Sequence, residues 1–392
     1  MKLFIYLWIL SLNGVLYAQN NIETLLASIE QNNITLKALR EKAEAQKLAN
    51  KTDIFLTNPE IEFNYLWGSS PNELGNRTDV SVKQKFDIPT ITGMKSRIGN
   101  KQNRLIDLQY KTDRINILLQ AKQHCIDLIY YNALKRQQNV RLSHVGTIAD
   151  SYKKKLTQGD ISLPEYNKVQ LNLALVQGEL SRIDIDRNRV LSELKQLNGG
   201  MELIPDDYPY EDTPLPIDFT DWYASAEQKN PVLEYVGLEV ALRKNQVSLN
   251  KAMQLPSFSA GYMSEKVVGE HFQGITLGIS IPLWENKNRV KQAKAAAKAA
   301  VIRQEDSRQQ FYHQLQNQYE RTQGLKSVAD TYQTSITTLN STDLLTKSLD
   351  VGEISVLEYL VEVGWYYDMT KQALEAERDY RKARAELEAV EL

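Results

Sequence analysis

Residues 25–36 read LLASIEQNNITL, and residues 222–233 read WYASAEQKNPVL. Ala27, Ser28, Glu30, Gln31 and Asn33 return as Ala224, Ser225, Glu227, Gln228 and Asn230, each 197 positions later. Pro59 and Pro256 keep that offset, whereas Pro89 and Pro282, like Gly159 and Gly352, are 193 apart. The first copy therefore carries four extra residues between its two prolines. Two copies are too few for a solenoid, so the chain reads as an internal duplication whose halves build one object.

The period of the apolar residues gives each copy its elements. In the first, Ile22, Leu25, Leu26, Ile29, Leu36 and Leu39 recur at threes, fours and sevens, which predicts a helical stretch of about 35 residues ending at Asn58-Pro59. The second copy repeats it over 221–254, with Pro231 expected to kink or interrupt it.

After each of these stretches the period changes to two. EIEFNYLWG (60–68) puts Ile61, Phe63, Tyr65 and Trp67 on one face, and Glu60, Glu62 and Asn64 on the other. TDVSVKQKFDIP (78–89) alternates Val80, Val82, Phe86 and Ile88 with Asp79, Ser81, Lys83, Lys85 and Asp87. The second copy gives Phe258, Ala260 and Tyr262, then Ile275, Leu277, Ile279 and Ile281. Four strands in two hairpins follow, at about 60–68, 78–88, 257–265 and 272–282. A turn near Asn72 would set Glu60 opposite Lys85 and Glu62 opposite Lys83.

From Pro89 to Gly159, and from Pro282 to Gly352, run two stretches of 70 residues rich in helix formers. Ile98, Leu105, Leu108, Ile115, Leu119, Ile126 and Ile129 recur as in coiled-coil packing. A helix of that length reaches roughly 100 Å. It turns at the glycine and runs back; Asn198-Gly199-Gly200 stops the first return helix. Organisation is thus a first repeat at 19–199, a linker at 200–217 with four prolines and several acids, and a second repeat at 218–392.

Residues 1–18 read as a secretory signal. Lys2 precedes the apolar core LFIYLWIL, which is too short to span a bilayer, and Ala18 sits before the expected cut, leaving Gln19 first. Removal would change the formal net charge from −2 to −3. Neither value suggests a nucleic-acid partner. The single cysteine, Cys125, excludes an intrachain disulfide and a cysteine-based zinc site. His124, His144, His271 and His313 have no partner at metal-site spacing, and no phosphate loop or nucleophile elbow occurs. No enzyme, metal or cofactor is expected.

Strands of 9 to 11 residues, apolar and aromatic on one face, have the length and pattern of a tilted strand crossing an outer membrane. Phe63, Tyr65, Trp67, Val80, Val82, Phe86, Tyr262, Ile275, Leu277 and Ile279 are the lipid-facing candidates, and Gln84 falls among them as a misfit. Four strands cannot close a barrel, and lipid does not tolerate an open edge. Membrane strands would therefore be pooled by several chains.

The order helix, hairpin, long helix, turn, return helix, given twice, resembles the TolC family of outer-membrane efflux proteins. So does the turn pattern Gly-x-x-Ser-x-x-acid, here Gly159, Ser162, Glu165 and Gly352, Ser355, Glu358. The resemblance covers essentially the whole mature chain. It implies a mostly α fold with membrane β, assembled as a homotrimer. A 12-stranded barrel in outer-membrane lipid would continue into a 12-helix periplasmic tunnel. It implies an exit duct docked to a periplasmic adaptor and an inner-membrane pump, of the resistance–nodulation–division (RND) type. The adaptor contacts would be Gly159, Asp160, Ser162, Glu165, Gly352, Glu353 and Ser355. The family's closed entrance uses acidic rings, for which Glu358, Glu362, Asp343 and Asp350 are the candidates. Where a second ring residue is expected, three after Glu358, this chain has Val361. The alternative is a periplasmic adaptor or coiled-coil scaffold without a membrane channel.

Overall fold

The computed structural model describes residues 22–52, 54–68, 75–86, 89–202, 210, 214–284 and 286–392. The expected signal at 1–18, the expected hairpin turn near Asn72, Asp87, Ile88 and most of the linker lie outside the described residues. The described residues form two compact units, one within 22–32 and 121–210, the other within 33–120 and 214–392. Neither coincides with a sequence repeat.

The first unit holds α1 (Ile22–Asn32), the later half of α3 (Pro89–Gln158) and α4 (Leu163–Leu197). Val169, Val176, Ile183 and Val190 of α4 fall every seven residues and are all buried. Cys125 and Leu128 of α3 are buried too, as are Leu25, Leu26 and Ile29 of α1. The side chain of Asn198, just past α4, accepts from Ser28 Oγ (3.2 Å) and Asn32 Nδ2 (3.1 Å) and so ties the end of α4 to α1. Sequence reading assigns Asn198 only as part of a stop.

The second unit holds α2 (Ile34–Thr52), β1 (Glu60–Leu66), β2 (Arg77–Phe86) and the start of α3. It continues with α5 (Phe219–Lys229), α6 (Pro231–Ala252), β3 (Ser257–Val267) and β4 (Glu270–Ser280). α7 (Arg289–Thr338), α8 (Thr342–Asp350) and α9 (Val356–Leu387) complete it. α7 packs against both α6 and α9. Its core joins Ala226, Leu315, Tyr319 and Leu387, with Phe219, Trp222 and Tyr223 against them. Tyr319 donates its hydroxyl to the Pro216 carbonyl (2.7 Å) and so anchors the segment entering α5.

The first helical stretch is not continuous in either copy. Pro231 starts α6 as expected, but Asn230 is the more general cause. Its Oδ1 accepts from the amides of Val232 (2.9 Å) and Leu233 (3.0 Å), capping the new helix. Asn33, its counterpart, accepts from the Leu36 amide (2.8 Å) and divides α1 from α2 with no proline present.

The long segments differ from each other. α3 is one helix of 70 residues, as the sequence predicts. The second copy is not: α7 has 50 residues and α8 nine, with Leu339, Asn340 and Ser341 between them. Asn340 Oδ1 accepts from the Thr342 amide (3.1 Å) and hydroxyl (2.8 Å), which starts a fresh helix. Before the break, Thr331, Thr334, Ser335, Thr337 and Thr338 all donate hydroxyl bonds to the carbonyls four residues earlier. Such back-bonding competes with the helix ladder and bends it.

The four strands form one antiparallel sheet in the order β1-β2-β3-β4. Glu60 lies opposite Lys83 and Glu62 opposite Ser81, so the expected register of the first hairpin is corrected by two residues. A shift of two keeps every side chain on its face. The charge pairing survives diagonally, since Lys85 Nζ lies 2.5 Å from Glu60 Oε1.

Candidate functional site

Directly opposed residues share a face, so the pairing assigns both sides of the sheet. Ile61–Val82–Tyr262–Ile275 form one row across all four strands. Phe63–Val80 lies on one side of it, and Gln84–Ala260–Leu277 and Phe86–Phe258–Ile279 on the other. All ten lipid-facing candidates except Trp67, which follows β1, sit in paired positions of this single surface, and all ten are exposed. Gln84 lies among them, but its amide donates to the carbonyls of Thr57 (2.8 Å) and Lys85 (2.9 Å), so it is satisfied at the strand end. The opposite face carries Glu60, Lys83, Ser81, Glu62, Asp79, Glu265 and Thr276. There Arg77 Nε contacts Asp79 (2.9 Å) and Glu265 (3.2 Å). An exposed apolar surface of this extent marks contact with lipid or protein, not with water. Among the described residues, no strand covers the outer edge of β1 or β4, and no helix is long and apolar enough to cross a membrane.

The second group of candidates lies at the turns, which share one construction. Gly159 has φ +82° and Gly352 +78°, a left-handed geometry that any side chain would strain. The next amide reaches back five residues: Asp160 to the Lys155 carbonyl (2.9 Å), Glu353 to that of Ser348 (2.8 Å). This is the Schellman closure of α3 and α8. Each return helix then opens on a capping box. Glu165 accepts from the Ser162 amide (2.8 Å) and Glu358 from the Ser355 amide (2.8 Å), while Ser355 Oγ accepts from the Glu358 amide (3.2 Å). The serine amide, then its hydroxyl, holds each of these carboxyls below the usual glutamate range. All seven expected contact residues thus take part in these closures, Gly159 and Gly352 as the left-handed links and the other five as donors or acceptors.

The aperture candidates are distributed over α8 and α9. Asp343, Asp350, Glu358 and Glu362 are all exposed. Asp343 and Asp350 are seven residues apart on α8, hence on one face. Glu358 and Glu362 are one turn apart on α9, opposite buried Val356, Tyr359, Val363 and Tyr367. Glu353 is engaged by Ser348 Oγ (3.1 Å). Among the described residues no group of His, Cys, Asp and Glu is placed to hold a metal ion; His124 Nδ1 lies 3.3 Å from Glu193.

Residues 222–390, which hold the second hairpin, the second long segment and its turn, match the model of the outer membrane efflux protein family. The match lies wholly within the second copy. No curated protein sequence matches the chain. Solved structures do match its fold. The CmeC outer membrane channel of Campylobacter jejuni superposes with a TM-score of 0.78 at 14% identity, over 95% of this chain and 85% of that one. The VceC outer membrane protein of Vibrio cholerae gives 0.74 at 13%, over 94% and 95%. The MtrE outer membrane channel of Neisseria gonorrhoeae, in its open state, gives 0.77 at 12%, over 94% and 88%. The fold of these channels therefore extends over both copies, although the family model matches only the second. The scaffold alternative gains nothing from these likenesses.

Proposed function

We propose that the chain is the outer-membrane exit duct of a tripartite efflux system, working as a homotrimer. Three copies of a four-stranded sheet supply twelve strands, enough for a closed barrel, and closure removes the edges of β1 and β4. The barrel would continue into a periplasmic tunnel of twelve helices. The turns at Gly159 and Gly352 would meet a periplasmic adaptor, and an inner-membrane pump of the RND type would supply the energy. The exposed carboxylates of α8 and α9 would line the closed aperture, where three copies repel anions.

One observation carries the membrane reading: the apolar band runs obliquely across the strands. On β1 it extends from Ile61 toward Trp67; on β4 it extends from Ile275 toward Ile281. Ile61 and Ile275 stand in the same row, so the band slips six residues across three strand spacings. That is roughly 20 Å along the strands over roughly 14 Å across them. A band that lies level in a bilayer then needs strands tilted by roughly 55°, steeper than but comparable to the 35–45° usual in barrels. A sheet packed on helices in water has no reason to shift its apolar face in this sense. The opposite face, with its ion pairs and Thr276, would line the lumen.

Arginine at Leu277 tests this. At mid-bilayer it costs about 2–4 kcal/mol per strand, so Leu277→Arg should eliminate heat-modifiable trimers from the outer-membrane fraction. Thr276→Arg, one residue away on the lumen face, should leave them in place. Equal assembly of the two variants would overturn the membrane reading.

A further inference from the structure

The two turns have the same backbone and different charges. Within ten residues of Gly159 there are four lysines against three carboxylates; within ten residues of Gly352, one lysine against five. The duplication shows where they diverge. At the 193-residue offset, Lys153, Lys155 and Lys168 correspond to Thr346, Ser348 and Val361, and Thr157 corresponds to Asp350. Lys153, Lys154, Lys155 and Lys168 are all exposed. Lys155 lies over the Tyr152 ring, 5.3 Å from its centre, which leaves its charge unneutralised.

Folding does not require this difference. Both turns use a left-handed glycine, a Schellman closure and a capping box, so each copy is a control for the other. The helix dipole explains part of one side only. Cations are favoured at the C-terminus of α3, where Lys155 sits in the last turn. By the same rule an anion is disfavoured at the C-terminus of α8, yet Asp350 is its last residue.

We propose that the two turns dock on partner surfaces of opposite sign: the Gly159 turn on an acidic helical surface, and the Gly352 turn on a basic one. The proposal rests on the docking reading above and adds the chemistry of the partner. Complementary charge at exposed tips governs encounter and register more than final affinity.

The test uses the full chain in outer membranes of its own cells, with a photoreactive phenylalanine at Gln158 or, separately, at Val351. On wild-type membranes both positions should give an adduct. High salt should weaken both adducts. A second arm rewrites the first turn with residues the second already accommodates, as Lys153→Thr, Lys155→Ser, Thr157→Asp and Lys168→Val together. The Gln158 adduct should fall at least tenfold while the Val351 adduct and the heat-modifiable trimer persist. If the rewritten chain fails to assemble, the reciprocal rewrite of the second turn decides: with Thr346→Lys, Ser348→Lys, Asp350→Thr and Val361→Lys together, the Val351 adduct should fall at least tenfold while the Gln158 adduct persists. A rewritten turn that keeps its adduct overturns the charge assignment and leaves docking standing. No adduct at either position in wild type overturns docking itself, and this proposal with it.

Discussion

The two long hairpins descend from one repeat, and they end differently. α3 runs 70 residues to the Gly159 turn without a break. The equivalent segment breaks at Leu339–Ser341, so the Gly352 turn is carried on the nine-residue α8. At the 193-residue offset the break corresponds to Gly146, Thr147 and Ile148, which stay helical. Gly146 should weaken its helix more than Leu339 does, yet the copy with the glycine is continuous. Intrinsic propensity therefore does not decide the matter. Side-chain competition for backbone bonds does: Asn340 holds the first amide of the new helix, after five hydroxyls that bond back along the old one. One hairpin is built as a strut, the other as a strut with a joint near its tip.

The largest expected effect comes from Gly159→Ile and Gly352→Ile. A β-branched residue at φ +82° or +78° costs at least about 1–2 kcal/mol per chain. Both variants should still give trimers on unheated gels, and both should lose export. Trimer melting separates them: strain at Gly159 has no joint to absorb it, so Gly159→Ile should lower the melting temperature more. Equal lowering would mean that the joint is not compliant. Loss of trimers in either variant would make that glycine a folding residue.

Amide hydrogen exchange measures the joint directly. Amides of 339–342 should exchange at least about tenfold faster than those of 146–149, because local opening is easier where the ladder is interrupted. Asn340→Ala removes the side chain that holds the Thr342 amide and puts the best helix former at the break, so the two segments should join and the two rates come closer. Equal rates in the wild-type chain would reduce the break to a bend.

What the sequence makes legible follows from the range of each interaction. The duplication, the strand faces and the turn glycines are visible because each depends on local period or on one special residue. Helix continuity depends on competition between side chain and backbone, which composition does not reveal; Asn33, Asn230 and Asn340 decide it, and only Pro231 announces it. Register depends on the geometry of the turn joining the strands, and a two-residue error changes no face, so the alternation in 60–68 and 78–88 is blind to it. The link from Asn198 to Ser28 spans 170 positions, and no local pattern signals it.

The smallest effect compares two glutamates that the fold treats alike. Glu165 and Glu358 cap their helices by the same bond from the preceding serine amide, and both carboxyls are held below the ordinary glutamate range. A depressed pKa makes its contribution at pH values above the unfolded-state value, and loses it as pH falls through the folded one. Exchange protection in the first turns of α4 and α9 should accordingly be complete at neutral pH and decline under acid conditions. Glu165→Gln and Glu358→Gln should weaken it at neutral pH and match wild type once the wild-type carboxyls are protonated. Up to this point the pair is symmetric. If Glu358 also lines the aperture, Glu358→Gln raises single-channel conductance in a planar bilayer and Glu165→Gln does not. Equal conductance in the two variants would confine Glu358 to its helix and leave Glu362, Asp343 and Asp350 as the acids of the gate.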